Sequence, residues 1–331
     1  MFLSVFRKFI SILFTAVFFF PSLITRRQIA GDMHTAEEDP KLVFAAISDI
    51  HLTNDKARAG MLALGLADMQ ASVRPLDALL LCGDNTDHGY DDQYELLQKT
   101  LESYNAAKEI ILAEGNHDTW TGDDYAPAKE NFIKYNKLIC GRDLTQAYYS
   151  VEINGYRFIC MASEADHTDA YISDAQLMWL DEELAAAAAE NKPVFVISHW
   201  PLNYSHGLPA TWEGKLWEKE NLGGLGDQSD AVEEILKAYP NVFLISGHLH
   251  VGLSNETHKK LDPFFRYTSI EHDGSFCSVN LPSYMYPAVL GRGLNGQGFV
   301  FEVYADKVII RARSFSAGVW LTNYEETVLI G

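Results

Sequence analysis

Cysteine is scarce: the chain holds four in 331 residues, and no two form a C-x-x-C pair. The pattern on which thiolate zinc sites are built is therefore missing. Cys82 and Cys160 lie within apolar runs, as small buried hydrophobes do. Cys140 and Cys277 are unassigned, and a disulfide between them stays open. Basic charge is also short, with 26 Lys and Arg against 45 Asp and Glu and a net charge of −19. Such a surface repels nucleic acid and anionic lipid head groups, so a nucleic acid duplex is not an expected partner. Chemistry on a phosphate ester would need local positive charge, which bound metal could supply. Low-complexity tracts are absent, and nothing between residues 41 and 331 reads as a linker, which favours one domain over that span. Oligomeric state leaves no mark.

A long uncharged apolar run occurs once, from Phe9 to Ile24. Its 16 residues fall short of a membrane span, which needs roughly 20, and slightly exceed the usual core of an export signal. Arg7 and Lys8 precede it and Arg26 and Arg27 follow it. A small-x-small cleavage site is missing, because cleavage after Ala30 would put Gln28 at the −3 position. Residues 1–30 read as an export signal or an uncleaved anchor, with an apolar helix packed on the domain as the alternative. Either of the first two puts the protein in the cell envelope or outside the cell, with membrane association through residues 9–24. Residues 31–40 are polar and acidic and read as a linker.

From Leu42 the pattern alternates between strands and helices. Buried strands are expected at 42–47, 78–82 and 110–113, with helices over 56–72 and 91–107 between them. Tyr148–Val151 and Tyr156–Met161 flank Asn154-Gly155, a hairpin signature. A helix over 173–190, a strand at 194–197, a long loop at 202–228, a helix at 229–238 and a strand at 242–245 follow. Beyond 264 shorter strands, notably Gly298–Tyr304 and Lys307–Ser314, read as a second sheet.

The buried strands end in polar residues. Asp49 and His51, Asp84, Asn116 and His117, His199, and His248 and His250 each stand just after an apolar run. In α/β folds that is where ligands bind. Residues two apart on a strand share a face, so Asp49 and His51 can grip one ion, with Leu249 turned away between His248 and His250. Carboxylate, imidazole and amide donors suit Mn, Fe or Zn. Any one string has an ordinary reading: Gly-Asn and Gly-Asp-Asn are common turns, and a single His after a strand is usually a core residue. Five of them, each after a buried strand, are not ordinary.

Asp49-x-His51, Gly83-Asp84, Gly115-Asn116-His117-Asp118, His199 and Gly247-His248-x-His250 together resemble the five motifs of the calcineurin-like metallophosphoesterase superfamily, over about residues 42–252. The resemblance implies a four-layer α/β/β/α sandwich of two mixed sheets. It implies two divalent cations, one held by Asp49, His51 and His250 and the other by Asn116, His199 and His248, with Asp84 bridging them. It also implies hydrolysis of a small phosphate-ester substrate by metal-activated hydroxide, with His117 beside the leaving group. Asp118 is expected to hold the His117 imidazole. Purple acid phosphatases carry a tyrosine where Asp87 stands, so this chain looks closer to the bacterial phosphodiesterases. Phosphodiesters are favoured over phosphomonoesters, the substrates of nucleotidases and phosphatases; a tethered, inactive metal-binding protein is the other alternative. Trp120 and Trp200 are candidates for stacking on the substrate or for plain wall residues. His206, Trp212 and the Gly-rich stretch around 222–226 are candidates for a lid, and His34, His88, His167, His258 and His272 receive no role.

Overall fold

The computed structural model describes residues 28–33, 39–120, 125–164, 170–211, 223–261, 267–285 and 295–331. Residues 9–24, His34, His167, Trp212 and Leu222 lie outside these. Among the described residues no helix is long and apolar enough to cross a membrane.

Two sheets face each other. In the first, the order is β1 (Gln28–Ala30), β13 (Val319–Leu329), β12 (Lys307–Ser314), β11 (Gln297–Val303), β2 (Leu42–Ile47), β3 (Leu76–Cys82) and β4 (Ala107–Ala113). The second runs β5 (Tyr149–Ile153), β6 (Tyr156–Cys160), β7 (Val194–Ile197), β8 (Val242–Ser246), β10 (Phe276–Asn280) and β9 (Ile270–Asp273). Both are mixed: β2, β3 and β4 run parallel, as do β6, β7, β8 and β10, while the flanking strands are antiparallel.

Phe44 and Phe301 of the first sheet stack at 4.5 Å, and Phe44 meets Phe158 and Phe195 of the second edge-on at 5.1 and 4.8 Å. That aromatic knot locks the sheets face to face. Outside the first sheet lie α1 (Lys56–Gln70), α2 (Asp91–Glu102) and α3 (Tyr125–Cys140), packed through Leu62, Leu66, Leu97 and Phe132. Outside the second lie α4 (Asp174–Ala188) and α5 (Ser229–Lys237), packed through Leu180, Leu184, Val232 and Leu236. The result is the expected four-layer α/β/β/α sandwich.

Two local expectations are corrected and one open question is answered. Strands beyond 264 do not make a sheet of their own: β9 and β10 extend the second sheet, while β11 pairs antiparallel with β2 in the first. Every residue of β11 is buried, as a strand covered on both faces must be. The helix over 91–107 stops at Glu102, and β4 already begins at Ala107. All four cysteines are free, so Cys140 and Cys277 form no disulfide; Cys277 packs between the sheets and Cys140 on the helix side. The hairpin is as expected, with Asn154 and Gly155 both at positive φ.

Residues 28–33 are joined to the first sheet. Gln28–Ala30 pairs with Val319–Leu321, Met33 is buried, and Arg313 and Trp320 donate to the carbonyls of Gly31 and Asp32.

Candidate metal centre

Strands β2, β3 and β4 of one sheet and β7 and β8 of the other all end at the same edge, and their next residues close over the seam between the sheets. Backbone bonds fix the junction. Asp49 N donates to Gly83 O, His51 N to Asp84 O and Gly247 N to His199 O. Across the seam, His199 Nδ1 donates to Cys82 O at 2.9 Å. Because a carbonyl only accepts, that bond sets the tautomer and leaves Nε2 facing Asp84.

Asp49, His51, Asp84, His248 and His250 all have φ between 44° and 70°, a left-handed conformation costly for residues with a Cβ. They account for five of the ten such non-glycine residues described. Strain gathered on the expected ligands marks a site where the backbone is bent to aim side chains. It also corrects the strand-face reason for pairing Asp49 with His51. The two do converge, but on a loop past β2, by two left-handed residues and not by strand alternation.

The donors meet in two overlapping groups: Asp49, His51, Asp84 and His250, and Asp84, His199 and His248, with the ligand atoms of each within 4.8 Å of one another. Asp84 Oδ2 lies 3.4 Å from His51 Nε2 and 3.2 Å from His199 Nε2, and Asp49 Oδ1 lies 3.2 Å from His250 Nε2. Asp84 Oδ2 and Asn116 Oδ1 are buried oxygens that accept no hydrogen bond. The orphaned Asp84 oxygen, amid imidazoles and a second carboxylate, fits divalent cations bound in two adjoining places.

Charge among these side chains is distributed accordingly. Burial opposes ionisation of Asp84, yet His199, His117 and His51 hold its carboxyl well below the usual range. Burial also opposes the charged form of His199, but Asp84 and Asp49 outweigh it and raise the imidazole to about 9. Burial keeps His248 neutral, well below the ordinary histidine value.

Asp118 does not hold His117. Its buried carboxylate accepts from Gly115 N, Asn85 N and Nδ2, and Thr86 N and Oγ1, at 2.9–3.2 Å. The turn over His117–Thr119 carries it under the Asp84 loop, which it braces. The contact expected of it is made by Asp87, whose carbonyl accepts from His117 Nδ1 at 2.8 Å. The Asp87 carboxylate lies 3.4 Å from His51 Nδ1 and 3.4 Å from Arg58 Nη1. The sequence marks Asp87 only as the place of an absent tyrosine. Its signal is nonetheless present, in an acid three residues past Asp84.

Trp200 is buried beside His199 and His248 and is a wall residue. Trp120 is exposed and lies 5.0 Å from the His117 ring. His206 is fully buried, bonded to Thr268 O and Ser278 Oγ, which makes it an anchor within the fold.

The profile of the calcineurin-like phosphoesterase family matches residues 42–252. Among curated proteins, the chain is 29% identical over 222 residues to a "Probable cyclic nucleotide phosphodiesterase" of Rhodococcus erythropolis, covering 64% of this chain and 65% of that protein. It is 25% identical over 171 residues to a glycerophosphodiester phosphodiesterase of Enterobacter lignolyticus, covering 48% of this chain and 57% of that protein. The matches thus span about three-fifths of those relatives' lengths. A crystal structure of a dimetal phosphatase from Danio rerio shares the fold, with a TM-score of 0.58 at 14% identity over 88% of this chain and all of that one. With the five motifs, the sandwich and the paired donor groups in agreement, the chain belongs to the calcineurin-like phosphoesterase family.

Proposed function

We propose that the protein hydrolyses phosphodiesters with two divalent cations, Mn, Fe or Zn. Asp49, His51 and His250 hold one, Asn116, His199 and His248 the other, and Asp84 serves both. The observation that carries this is Asp84: one carboxylate belongs to both donor groups, with an oxygen that no hydrogen bond satisfies. Bound there, the cations supply positive charge to the phosphate oxygens and make water acidic enough to attack at neutral pH.

The chain's own residues then have definite tasks. His117 is anchored by its amide on Asp84 Oδ1 at 2.8 Å and by Nδ1 on the Asp87 carbonyl. This leaves Nε2 to give a proton to the departing alkoxide, a role worth typically 10²–10⁴-fold. Asp118 keeps the Asp84 loop from moving as charge shifts. The diester preference draws on the two relatives named as phosphodiesterases. The apolar run at residues 9–24 supports a place in the cell envelope or outside the cell.

Paired assays on bis(4-nitrophenyl) phosphate and 4-nitrophenyl phosphate, with and without added Mn, test this reading. Metal-dependent turnover that favours the diester is expected. Preference for the monoester would make the protein a phosphomonoesterase, and binding of metal without turnover would leave it a metal-binding protein. His117→Ala should keep its metal and lose at least about a hundredfold in turnover on an alkyl diester, whose leaving group needs the proton.

A further inference from the structure

Trp120 and His88 stand beside His117, and Tyr90 adjoins His88. Trp120 is 38% exposed and Tyr90 46%, and they are two of the few large apolar side chains left open to solvent among the described residues. The His88 side chain, 41% exposed, lies between them: its ring is 5.8 Å from Trp120 and 5.6 Å from Tyr90. Trp120 in turn meets the His117 ring at 5.0 Å and 64°.

The backbone that carries them is held firmly. Gly89 N donates to Thr86 Oγ1, His88 N to Gln93 Oε1, and Asn131 Nδ2 to Gly89 O. Trp120 follows directly on the turn that carries His117, and its amide donates to the His117 carbonyl. Exposed aromatics on a fixed frame are a recognition feature, because little conformational freedom is lost when something stacks on them.

We propose that His88, Tyr90 and Trp120 form a subsite for the leaving alcohol, and that this alcohol carries a flat aryl or heteroaryl ring. The proposal rests on the phosphodiesterase reading, since His117 marks the side from which the alcohol departs. Hydrolysis adds the water oxygen to phosphorus, breaks the ester P–O bond on the His117 side and sends the alcohol out with a proton from Nε2, while the proton lost by the attacking water returns to Nε2 through solvent. Rings at tilted angles around that point offer faces and edges to a planar group. A cationic alcohol is less well served, because the carboxylates near it among the described residues already have partners. Asp87 is engaged with Arg58 and His51, Asp91 with Lys134, and Asp92 with Asn54.

Benzyl methyl phosphate tests this within one molecule, since its two alcohols are of similar acidity and either can leave. The Mn-loaded protein should release benzyl alcohol over methanol by about fivefold or more. Trp120→Leu should bring the ratio close to one. Tyr90→Leu, at a position exposed enough to spare the fold, should move it the same way. Cyclohexylmethyl methyl phosphate, equally apolar but not flat, should show little bias. Parity in the unaltered protein, an unchanged ratio in both variants, or an equal bias for cyclohexylmethanol would overturn the subsite and leave the phosphodiesterase reading standing. Absence of any hydrolysis by the Mn-loaded protein, on these esters and on bis(4-nitrophenyl) phosphate alike, would remove that reading and the subsite with it.

Discussion

Asp87 touches both halves of the proposed chemistry, through its side chain to His51 and through its carbonyl to His117. Burial works against its ionisation, but His51 and Arg58 hold the carboxyl down at about 2, so it stays charged across the working pH range. A carboxylate behind a ligating imidazole orients the ring and makes it a better donor, and loss of such a partner commonly weakens metal binding by about 10–100-fold. Asp87→Asn keeps the carbonyl to His117 and removes only the charge. It should need correspondingly more Mn for half-maximal activity and recover turnover in excess Mn. Unaltered Mn dependence would show that Asp87 does not support His51. At this scale the donors were legible in the sequence, because each one follows a run of apolar residues that can only be a buried strand. Asp118 was not. Its place next to His117 in the chain says nothing about direction, and the intervening turn carries it to Gly115, Asn85 and Thr86.

Strand ends and the glycines beside them set the precision of the site. A Cβ on Gly115 would overlap the amide nitrogen and Oδ1 of Asp84, and one on Gly247 would press on Ser48 and come within 2.9 Å of Asp49 Oδ2. Gly115→Ala should therefore displace the shared carboxylate and cost metal, read as a lowered Mn content after dialysis at unchanged far-ultraviolet circular dichroism. Full metal retention would mean the loop can yield. The parallel strands and their helices were readable from periodicity, whereas the partners of β11 to β13 were not, since pairing between distant strands leaves no local pattern. The same is true of β1. Gln28–Ala30 reads in the sequence as the end of an export signal or anchor and Met33 as part of a polar linker, yet the first is strand at the sheet edge and the second is buried. Protein starting at Gln28 should melt well above protein starting at residue 34, because loss of Met33 burial alone costs about 1.5–3 kcal/mol. Identical melting of the two forms would detach residues 28–33 from the fold's stability.

Across the whole molecule, a net charge of −19 surrounds a seam where carboxylates and imidazoles are buried side by side. There His199 retains a proton up to about pH 9 because Asp84 and Asp49 lie beside it. A cation entering there must displace the proton. Binding should therefore release protons at neutral pH and tighten as pH rises toward 9, where His199 gives up its proton unaided. Titration of Mn into metal-free protein, followed by calorimetry in two buffers of different protonation enthalpy and by turnover of bis(4-nitrophenyl) phosphate, measures this directly. The structure predicts two ions per chain, protons released on uptake, diester turnover that appears only as the second place fills, and loss of both ions in Asp84→Ala. Saturation at a single ion, or an Asp84→Ala protein that still binds two, would contradict it.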